Sequence, residues 1–279
     1  MSEPPRPLPL LTRTALLDTM RRHGLEPHRT LGQNFVVDQN TIRRIVRLAG
    51  VVPGDRVVEI GPGLGSLTLG LLEVEAEVTA VEIDTRLVAP LAEVTGGRVR
   101  VVQGDAMAVD WADVLVGGPW AVVANLPYNV ATPVVLRLLD EAAQATRMLV
   151  MVQREVGERL AAAPGTKAYG IPSVKVAYWA EARVVGTVGA DVFHPRPRVT
   201  SALVEIVRRP APVRPVDTDL LFDLVRRGFG QRRKTLRRAL DGKAGAEHFD
   251  AAQVDPNDRA ERVDIDGWCR LAEAVSSHR

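Results

Sequence analysis

The sequence predicts an α/β protein with a mostly parallel sheet, followed by a small helical domain at the C-terminus. The first observation behind this prediction is that short apolar runs alternate with helical patterns over the first two thirds of the chain. These runs are mostly apolar without strict alternation, as expected for strands that helices cover on both faces. The second is a change near residue 208, beyond which three prolines precede helical patterns and strand signals disappear.

The first elements follow from local patterns. Residues 1–28 are rich in proline and contain one short helical pattern, so we expect a loose N-terminal extension there. Asn40 is expected to cap a helix whose apolar residues recur every three or four positions up to Ala49. Five strands are expected after it, at 56–60, 78–83, 99–103, 120–124 and 148–153.

The later elements complete the predicted organisation. Segments 174–185 and 202–207 are rich in β-forming residues and have no obvious crossover helix between them, which predicts an antiparallel pair at the sheet edge. Helices are expected around 220–225 and 268–275, the second capped by Asp266. The predicted units are an extension over 1–28, an α/β domain over 29–207 and a helical domain over 208–279.

Composition narrows the class of protein. Cys269 is the only cysteine, so the chain has neither a disulfide framework nor the spacing of a zinc site, and no metal is expected. No apolar run approaches the ~20 residues of a membrane helix, and the N-terminus does not follow the signal-peptide pattern. We therefore expect a cytoplasmic protein without a membrane partner. Nothing in the sequence indicates an obligate oligomer, so we expect a monomer.

The net charge of +2 conceals a basic segment. Seven of the thirteen residues from Arg226 to Arg238 are arginine or lysine, and no acidic residue interrupts them. Such a segment favours contact with phosphates, although a solvated helix face is the alternative interpretation. The seven residues are Arg226, Arg227, Arg232, Arg233, Lys234, Arg237 and Arg238.

Three successive expected strands end in residues that could bind a nucleoside. Gly61 opens a glycine-rich turn that lets a ligand approach the backbone, while Glu82 could accept from ribose hydroxyls and Asp105 from an adenine amino group. Ligands bind at this edge of open α/β sheets. The turn lacks G-x-G-x-x-G spacing and Pro62 has no N–H, so an uncharged or cationic nucleoside fits better than a dinucleotide. Each acid taken alone is more typical of a solvated strand end, and it is the three residues together that favour a binding site.

The tetrapeptide Asn125-Leu126-Pro127-Tyr128 follows the fourth expected strand. It places an amide, a rigid turn and an aromatic ring at one strand end, which suits a planar base with an exocyclic amine. A proline turn after a core strand is the alternative that these four residues leave open.

Six motifs, in this order, resemble the ribosomal RNA adenine dimethyltransferases, enzymes that use S-adenosylmethionine. The likeness runs from about residue 29 to residue 240. The motifs are LGQNF at 31–35, EIGPGLG at 59–65, NLPY at 125–128, QRE at 153–155 with Tyr169-Gly170, FHPRP at 193–197, and QRRK at 231–234. The resemblance implies a Rossmann-like methyltransferase sheet and a cofactor site for S-adenosylmethionine. That site would be formed by Asn34, the backbone at Val36, Gly61, Glu82, Asp105 and Asn125.

The resemblance also implies that a target adenine stacks against Tyr128 and Phe193. We interpret the Asn125 side-chain oxygen and the Leu126 carbonyl as acceptors for the two N6 hydrogens, so that orientation supplies most of the acceleration. An adenine in structured RNA must be single-stranded or flipped out to reach such a site.

The resemblance implies that the substrate is small-subunit (16S) ribosomal RNA within an immature 30S particle, methylated at two adjacent adenines near the 3′ end. Leu126 and Asn129 favour this group over the relatives that methylate large-subunit RNA and confer macrolide resistance. A mainly noncatalytic RNA-binding assembly factor is a second alternative, against which the intact tetrapeptide argues. A nucleotide-dependent oxidoreductase is a third, weakened by the missing dinucleotide motif.

Overall fold

The computed structural model describes residues 8–27 and 32–277, which form two compact units. Unit 1 comprises the described residues up to Gly157 together with Arg183–Val207. Unit 2 comprises Glu158–Ala182 and the described residues from Arg208 onward. Segment 158–182 therefore belongs to unit 2, whereas the sequence analysis assigned it to the α/β domain.

The elements up to the end of the fifth strand of the main sheet alternate as expected for an α/β chain. In chain order they are α1 Arg13–Arg22, β1 Phe35–Val36, α2 Gln39–Leu48, β2 Arg56–Ile60, α3 Ser66–Glu73, β3 Glu77–Glu82, α4 Thr85–Val94, β4 Arg100–Gln103, α5 Trp111–Val114, β5 Trp120–Asn125, α6 Ala131–Glu141 and β6 Ala145–Gln153. The remaining elements are α7 Arg154–Leu160, α8 Ile171–Trp179, β7 Ala180–Val188, β8 Phe193–His194, β9 Ser201–Arg208, α9 Thr218–Gly230, α10 Leu236–Ala239, α11 Ala246–Ala252 and α12 Ile265–Ser277.

Seven strands form the main sheet in the order β4-β3-β2-β5-β6-β9-β7. Strands β4, β3, β2, β5 and β6 run parallel to their neighbours, and β9 pairs antiparallel with β6. The carboxyl ends of β2, β3, β4 and β5 therefore meet at one edge. A separate antiparallel pair, β1 with β8, aligns Phe35 with His194 and Val36 with Phe193.

The described N-terminal residues belong to the core of unit 1, so the expectation of a loose extension is wrong for residues 8–27. Thr12 caps α1 by accepting from Ala15 N at 3.1 Å, and the helix buries Leu16 and Met20 in the same hydrophobic cluster as the sheet. Their burial removes apolar surface from water, which stabilises the attachment. Residues 1–7 and 28 of the expected extension lie outside the described residues.

Two helix caps differ from those expected. Asp38, not Asn40, caps α2, because its carboxylate accepts from Thr41 N at 2.7 Å. At α12, the Asp264 carboxylate accepts from Gly267 N at 2.7 Å, whereas Asp266 lies within the first turn. In both cases the cap is the acidic residue two positions before the one expected, in agreement with the preference of helix N-termini for aspartate.

Segment 174–185 is not a continuous strand, because α8 extends to Trp179 before β7 begins at Ala180. Val174 and Tyr178, one helical turn apart, are buried in the core of unit 2. The Tyr178 ring packs edge-on against Phe222, with centroids 5.7 Å apart. Tertiary packing therefore overrides the β propensity of these valines and aromatics. Strand β7 lies beside β9 as the edge strand of the sheet.

Unit 2 is organised around α9 and α12, whose apolar faces contribute Leu221, Leu224 and Trp268 to one core. Tyr169 packs against Phe229 there, with ring centroids 5.9 Å apart. No helix in the described part of the chain is long and apolar enough to cross a membrane.

Candidate active site

One crevice lies at the carboxyl ends of the parallel strands of unit 1. All six residues predicted to bind the cofactor line it: Asn34, Val36, Gly61, Glu82, Asp105 and Asn125. Leu126 and Tyr128 line it as well. The fold thus brings together residues that are distant in the sequence, such as Asn34 and Asn125, which are 91 positions apart.

The glycine-rich turn after β2 lines the crevice. Gly63 has a φ of +59°, and a Cβ there would lie 2.6 Å from the Phe35 ring, so only glycine fits. Its N–H donates to Glu82 at 3.1 Å. The other Glu82 oxygen accepts from Asp84 N at 2.9 Å. Each carboxylate oxygen retains acceptor capacity for a ligand hydroxyl, and burial raises the pKa of Glu82.

Glu59 is a crevice residue that the sequence analysis did not single out. It is 1% exposed and accepts a hydrogen bond from Thr68 Oγ1 at 2.6 Å. Burial, more than the neighbouring charge of Glu82, raises the pKa of Glu59 to about 8, so its carboxyl is neutral at pH 7. An acidic residue inside an apolar strand, directly before a glycine-rich turn, is the signal that could have identified it.

Segment 32–36 connects the ends of two strands. Gln33 Nε2 donates to Asp84 Oδ2 at 2.9 Å, after the end of β3, and the Asn34 carbonyl accepts from Asn125 Nδ2 at 2.8 Å, at the end of β5. The hydrogen bond from Arg86, more than that from Gln33, lowers the pKa of Asp84 to about 2. Leu31, the first residue of this motif, lies outside the described residues.

The bond to Asn34 fixes the orientation of the Asn125 amide. A carbonyl can only accept, so the NH2 group must face Asn34 and the Oδ1 atom must face the other way. No described residue donates to Oδ1. The Leu126 carbonyl likewise has no donor among the described residues, while Leu126 N donates to Met151 O at 3.1 Å. Two acceptors from adjacent residues are therefore open at the crevice.

The two predicted stacking rings differ in environment. Tyr128 is half-buried at the crevice, and its hydroxyl lies 2.8 Å from Ser201 Oγ; burial raises its pKa. Phe193 is 1% exposed, packs in the hydrophobic core with Phe35 and does not line the crevice. The pairing of Val36 with Phe193 places this residue in a short sheet that the core covers. The expectation that Phe193 offers an open face to a base is therefore not met in this structure.

Asp105 lies in an exposed loop after β4, where its Oδ1 atom accepts from Met107 N at 2.8 Å. The loop is attached to α6 by Arg137, whose guanidinium donates to Ala106 O at 2.8 Å and to Val109 O at 2.9 Å. Arg137 was not predicted from the sequence, because an arginine in an amphipathic helix has no local signature that distinguishes such an attachment from solvent exposure.

The basic segment lies in unit 2, and all seven of its predicted RNA-contacting side chains are exposed. Arg227 pairs with Asp223 at 2.9 Å, and Arg232 with Glu261 at 3.5 Å. The side chains of the other five form no hydrogen bond or ion pair with a described residue. These five are Arg226, Arg233, Lys234, Arg237 and Arg238.

The chemistry of the crevice fits a cationic nucleoside. Its lining contains the acidic residues Glu82 and Asp105 beside the neutral carboxyl of Glu59, and none of the described residues that line it is lysine or arginine. A pyrophosphate would lack a cationic partner there, whereas a sulfonium cation with a ribose and an adenine meets acceptors throughout. The sheet and this site define a Rossmann-like methyltransferase that uses S-adenosylmethionine.

Comparison with known proteins specifies the family. The family described as ribosomal RNA adenine dimethylase matches residues 24–277. The chain belongs to this family. Ribosomal RNA small subunit methyltransferase A from Nocardia farcinica is 50% identical over 266 residues, covering 90% of each protein. The protein of the same name from Kineococcus radiotolerans is 49% identical over 274 residues, covering 94% of this chain and 91% of the relative.

Solved structures share the fold over most of the chain. A dimethyladenosine transferase from Plasmodium falciparum superimposes with a TM-score of 0.70 at 22% identity, covering 85% of this chain and 95% of that one. The 23S rRNA methyltransferase ErmE superimposes with a TM-score of 0.67 at 28% identity, covering 87% and 99%. The identity to the small-subunit enzymes is thus well above the identity to ErmE.

Proposed function

We propose that this protein transfers methyl groups from S-adenosylmethionine to N6 of two adjacent adenines near the 3′ end of small-subunit ribosomal RNA, giving dimethyladenines. The observation that carries the proposal is the pair of open acceptors, Asn125 Oδ1 and the Leu126 carbonyl, at the edge of an acidic crevice. The names of the relatives that are about 50% identical supply the choice of ribosomal subunit.

An adenine amine is a weak nucleophile, and the two open acceptors can increase its nucleophilicity. The N6 lone pair is delocalised into the ring, and two acceptors that bind the two N6 hydrogens favour a pyramidal nitrogen with a localised lone pair. Asn125 is suited to this task because the Asn34 carbonyl prevents its amide from turning the NH2 group toward the base. When bound, S-adenosylmethionine supplies a methyl group that its positive sulfur makes electrophilic.

No strong base is required in this scheme. Transfer of the methyl group would leave the sulfonium as a neutral thioether and make the N6 nitrogen cationic, so that an N6 proton could leave to water. Positioning of the base by Asn125, Leu126 and the Tyr128 ring supplies most of the acceleration. A second transfer to the same nitrogen gives the dimethylated product.

Different residues of the crevice would bind different parts of S-adenosylmethionine. Glu82 would accept from the ribose hydroxyls and Asp105 from the adenine amine, while Gly61, Asn34 and the backbone at Val36 would hold the remainder of the molecule. Both residues line the crevice, and their carboxyl groups supply two separate acceptors for a nucleoside.

The RNA contact comes from the basic segment of unit 2. The five side chains of this segment that form no ion pair with a described residue can each neutralise a phosphate without reading a base. We further propose that the substrate is the immature 30S particle, and that the protein acts as a monomer in the cytoplasm.

The test of the substrate is incubation with radiolabelled S-adenosylmethionine and immature small subunits, large subunits or naked RNA. We expect label in small-subunit RNA alone, at N6-dimethyladenine. Label that enters only large-subunit RNA would contradict the substrate assignment.

The test of the site is Asn125→Ala, which removes one acceptor and the bond to Asn34. Transfer should fall by at least about 100-fold, comparable to the loss of an oriented catalytic donor, with RNA binding largely retained. The matched control is Asn40→Ala, at an exposed position on α2, which should keep full turnover. Unchanged turnover in Asn125→Ala would refute the role of this residue.

A further inference from the structure

We propose that Ser201 is a positioning residue that fixes the ring of Tyr128 for stacking on the target adenine. This inference rests on the proposed function, because it deepens the role given there to Tyr128. Ser201 is the first residue of β9 and lies 73 positions from Tyr128 in the sequence.

The contact between the two hydroxyls is specific. Tyr128 OH lies 2.8 Å from Ser201 Oγ, at hydrogen-bond distance. Ser201 is 0% exposed, and its hydroxyl has no other hydrogen-bond partner among the described residues. Either hydroxyl can donate, and burial raises the pKa of the Tyr128 phenol. A fully buried hydroxyl therefore has the half-buried tyrosine as its one described partner.

The two ends of the tyrosine are attached to different strands. Its backbone belongs to the turn that follows β5, where Leu126 N donates to Met151 O of β6. Its hydroxyl contacts the first residue of β9, which the sheet register aligns with Gln153 at the end of β6. The ring thus extends from one side of β6 to the other, between two positions that the sheet holds fixed.

This geometry restricts a torsion that would otherwise be broad. The χ2 angle of a tyrosine has a shallow energy profile, so a half-buried ring without a bond at its hydroxyl samples many orientations. Stacking on a base requires one orientation of the ring plane, and loss of orientation lowers the rate of a reaction that depends on positioning. The Ser201 hydroxyl does not line the crevice. It raises the rate of methyl transfer because it fixes the orientation of the Tyr128 ring.

The test is a double-mutant cycle with Tyr128→Phe, Ser201→Ala and the double variant. Each single variant removes the same hydrogen bond, so each should lower the rate of methyl transfer to small-subunit RNA by about 3- to 10-fold, the effect of one hydrogen bond. The double variant should be no slower than the slower single variant. Affinity for S-adenosylmethionine, measured by calorimetry, should be unchanged in all three.

A spectroscopic measurement tests the contact without RNA. The chain has three tyrosines, so incorporation of 3-fluorotyrosine gives a simple fluorine NMR spectrum in which Tyr128→Phe identifies the resonance of Tyr128. Ser201→Ala should shift this resonance alone. The matched control is Ser173→Ala in unit 2, where a buried serine hydroxyl donates to Arg159 O at 2.5 Å; it should alter neither the Tyr128 resonance nor the rate.

The outcomes separate this inference from the proposed function. An inactive wild-type protein would contradict the proposed function, while the fluorine spectrum would still report on the contact. An active wild-type protein whose single-variant losses multiply in the double variant, or whose Tyr128 resonance ignores Ser201→Ala, would overturn the positioning role. If Ser201→Ala does not fold, full activity of Tyr128→Phe would overturn it equally.

Discussion

Burial determines the protonation of Glu59, which lies on β2 beneath the glycine-rich turn. Its carboxyl has one described hydrogen-bond donor, Thr68, and that bond does not offset the loss of hydration. Because the pKa of Glu59 is about 8 in the folded protein, the stability of unit 1 depends on pH.

We predict that the free energy of unfolding falls as the pH rises from about 5 to 8. Below pH 4.5 Glu59 is protonated in both states, and between pH 4.5 and about 8 the folded protein keeps a proton that the unfolded chain releases. The loss amounts to up to roughly 4 kcal/mol over this window. Glu59→Gln cannot titrate, so its stability should decline less over the same range, as measured by urea unfolding followed by circular dichroism.

The matched control for this prediction is Glu26→Gln, at an exposed position. It should retain the pH dependence of the wild-type protein. If Glu59→Gln and the wild-type protein show parallel stability curves between pH 5 and 8, the carboxyl of Glu59 is not neutral in the folded state at pH 7.

The role of a single residue could be predicted where a motif specifies its chemistry. It was harder to predict where the role depends on tertiary packing. The positions of Glu82, Asp105 and Asn125 in one crevice follow from parallel strand ends, which local patterns reveal. The burial of Phe193 depends on the pairing of β8 with a segment more than 150 residues earlier, for which the sequence contains no local signal. The Asn125 orientation depends on the Asn34 carbonyl, a backbone atom without a sequence signature.

At the scale of elements, the loop after β4 depends on α6 for its position. Arg137 is 16% exposed in its side chain and donates to two carbonyls of the loop that carries Asp105. A guanidinium can form both bonds at once because its donors lie in a fixed planar fork, whereas a lysine ammonium is a single point.

We predict that Arg137→Lys weakens binding of S-adenosylmethionine by about 3- to 10-fold, since at least one of the two bonds is lost and the Asp105 loop becomes less well fixed. The measurement is calorimetric titration of the variant with S-adenosylmethionine. The pair with Glu141, 2.8 Å away on the same helix, remains available to a lysine.

Arg147→Lys is the matched control, because Arg147 pairs with Asp55 at the amino-terminal ends of the strands, away from the crevice. Its affinity for S-adenosylmethionine should equal that of the wild-type protein. An equal affinity in Arg137→Lys would show that the loop is positioned without this contact.

The parallel strands could be predicted from the sequence more closely than the elements around them. The five parallel strands have continuous apolar runs that leave little ambiguity, and their bounds agree with the expected ones to within a few residues. Segment 174–185 has residues favoured in strands, yet its first half is helical because unit 2 buries Val174 and Tyr178 on one face. The short pattern of α1 did not reveal that Leu16 and Met20 enter the core, since burial depends on distant partners.

At the scale of the whole molecule, a net charge of +2 results from opposite charges placed in different units. The crevice of unit 1 has acidic residues in its lining, which suits a cationic methyl donor. In unit 2, five exposed cationic side chains of the basic segment form no ion pair with a described residue, which suits a polyanion. The acidic site therefore suits a cationic ligand and the basic segment suits an anionic one. A net charge near zero does not reveal this difference.

We predict that Arg233→Gln/Lys234→Gln weakens binding to small-subunit RNA and makes it less sensitive to salt. Each phosphate contact releases counterions, so the loss of two contacts should reduce the slope of log K against log salt concentration by roughly 1.5. Filter binding between about 50 and 200 mM salt measures this slope. Affinity for S-adenosylmethionine should not change, because neither residue lines the crevice.

The matched control removes two exposed arginines from unit 1, Arg13 on α1 and Arg47 on α2, and so changes the net charge by the same amount. If RNA binding depended only on net charge, Arg13→Gln/Arg47→Gln would reduce the slope equally. We expect it to leave the slope near the wild-type value, because these helices lie outside the basic segment. Equal slopes for the two double variants would show that the segment from Arg226 to Arg238 is a solvated surface and not the RNA contact.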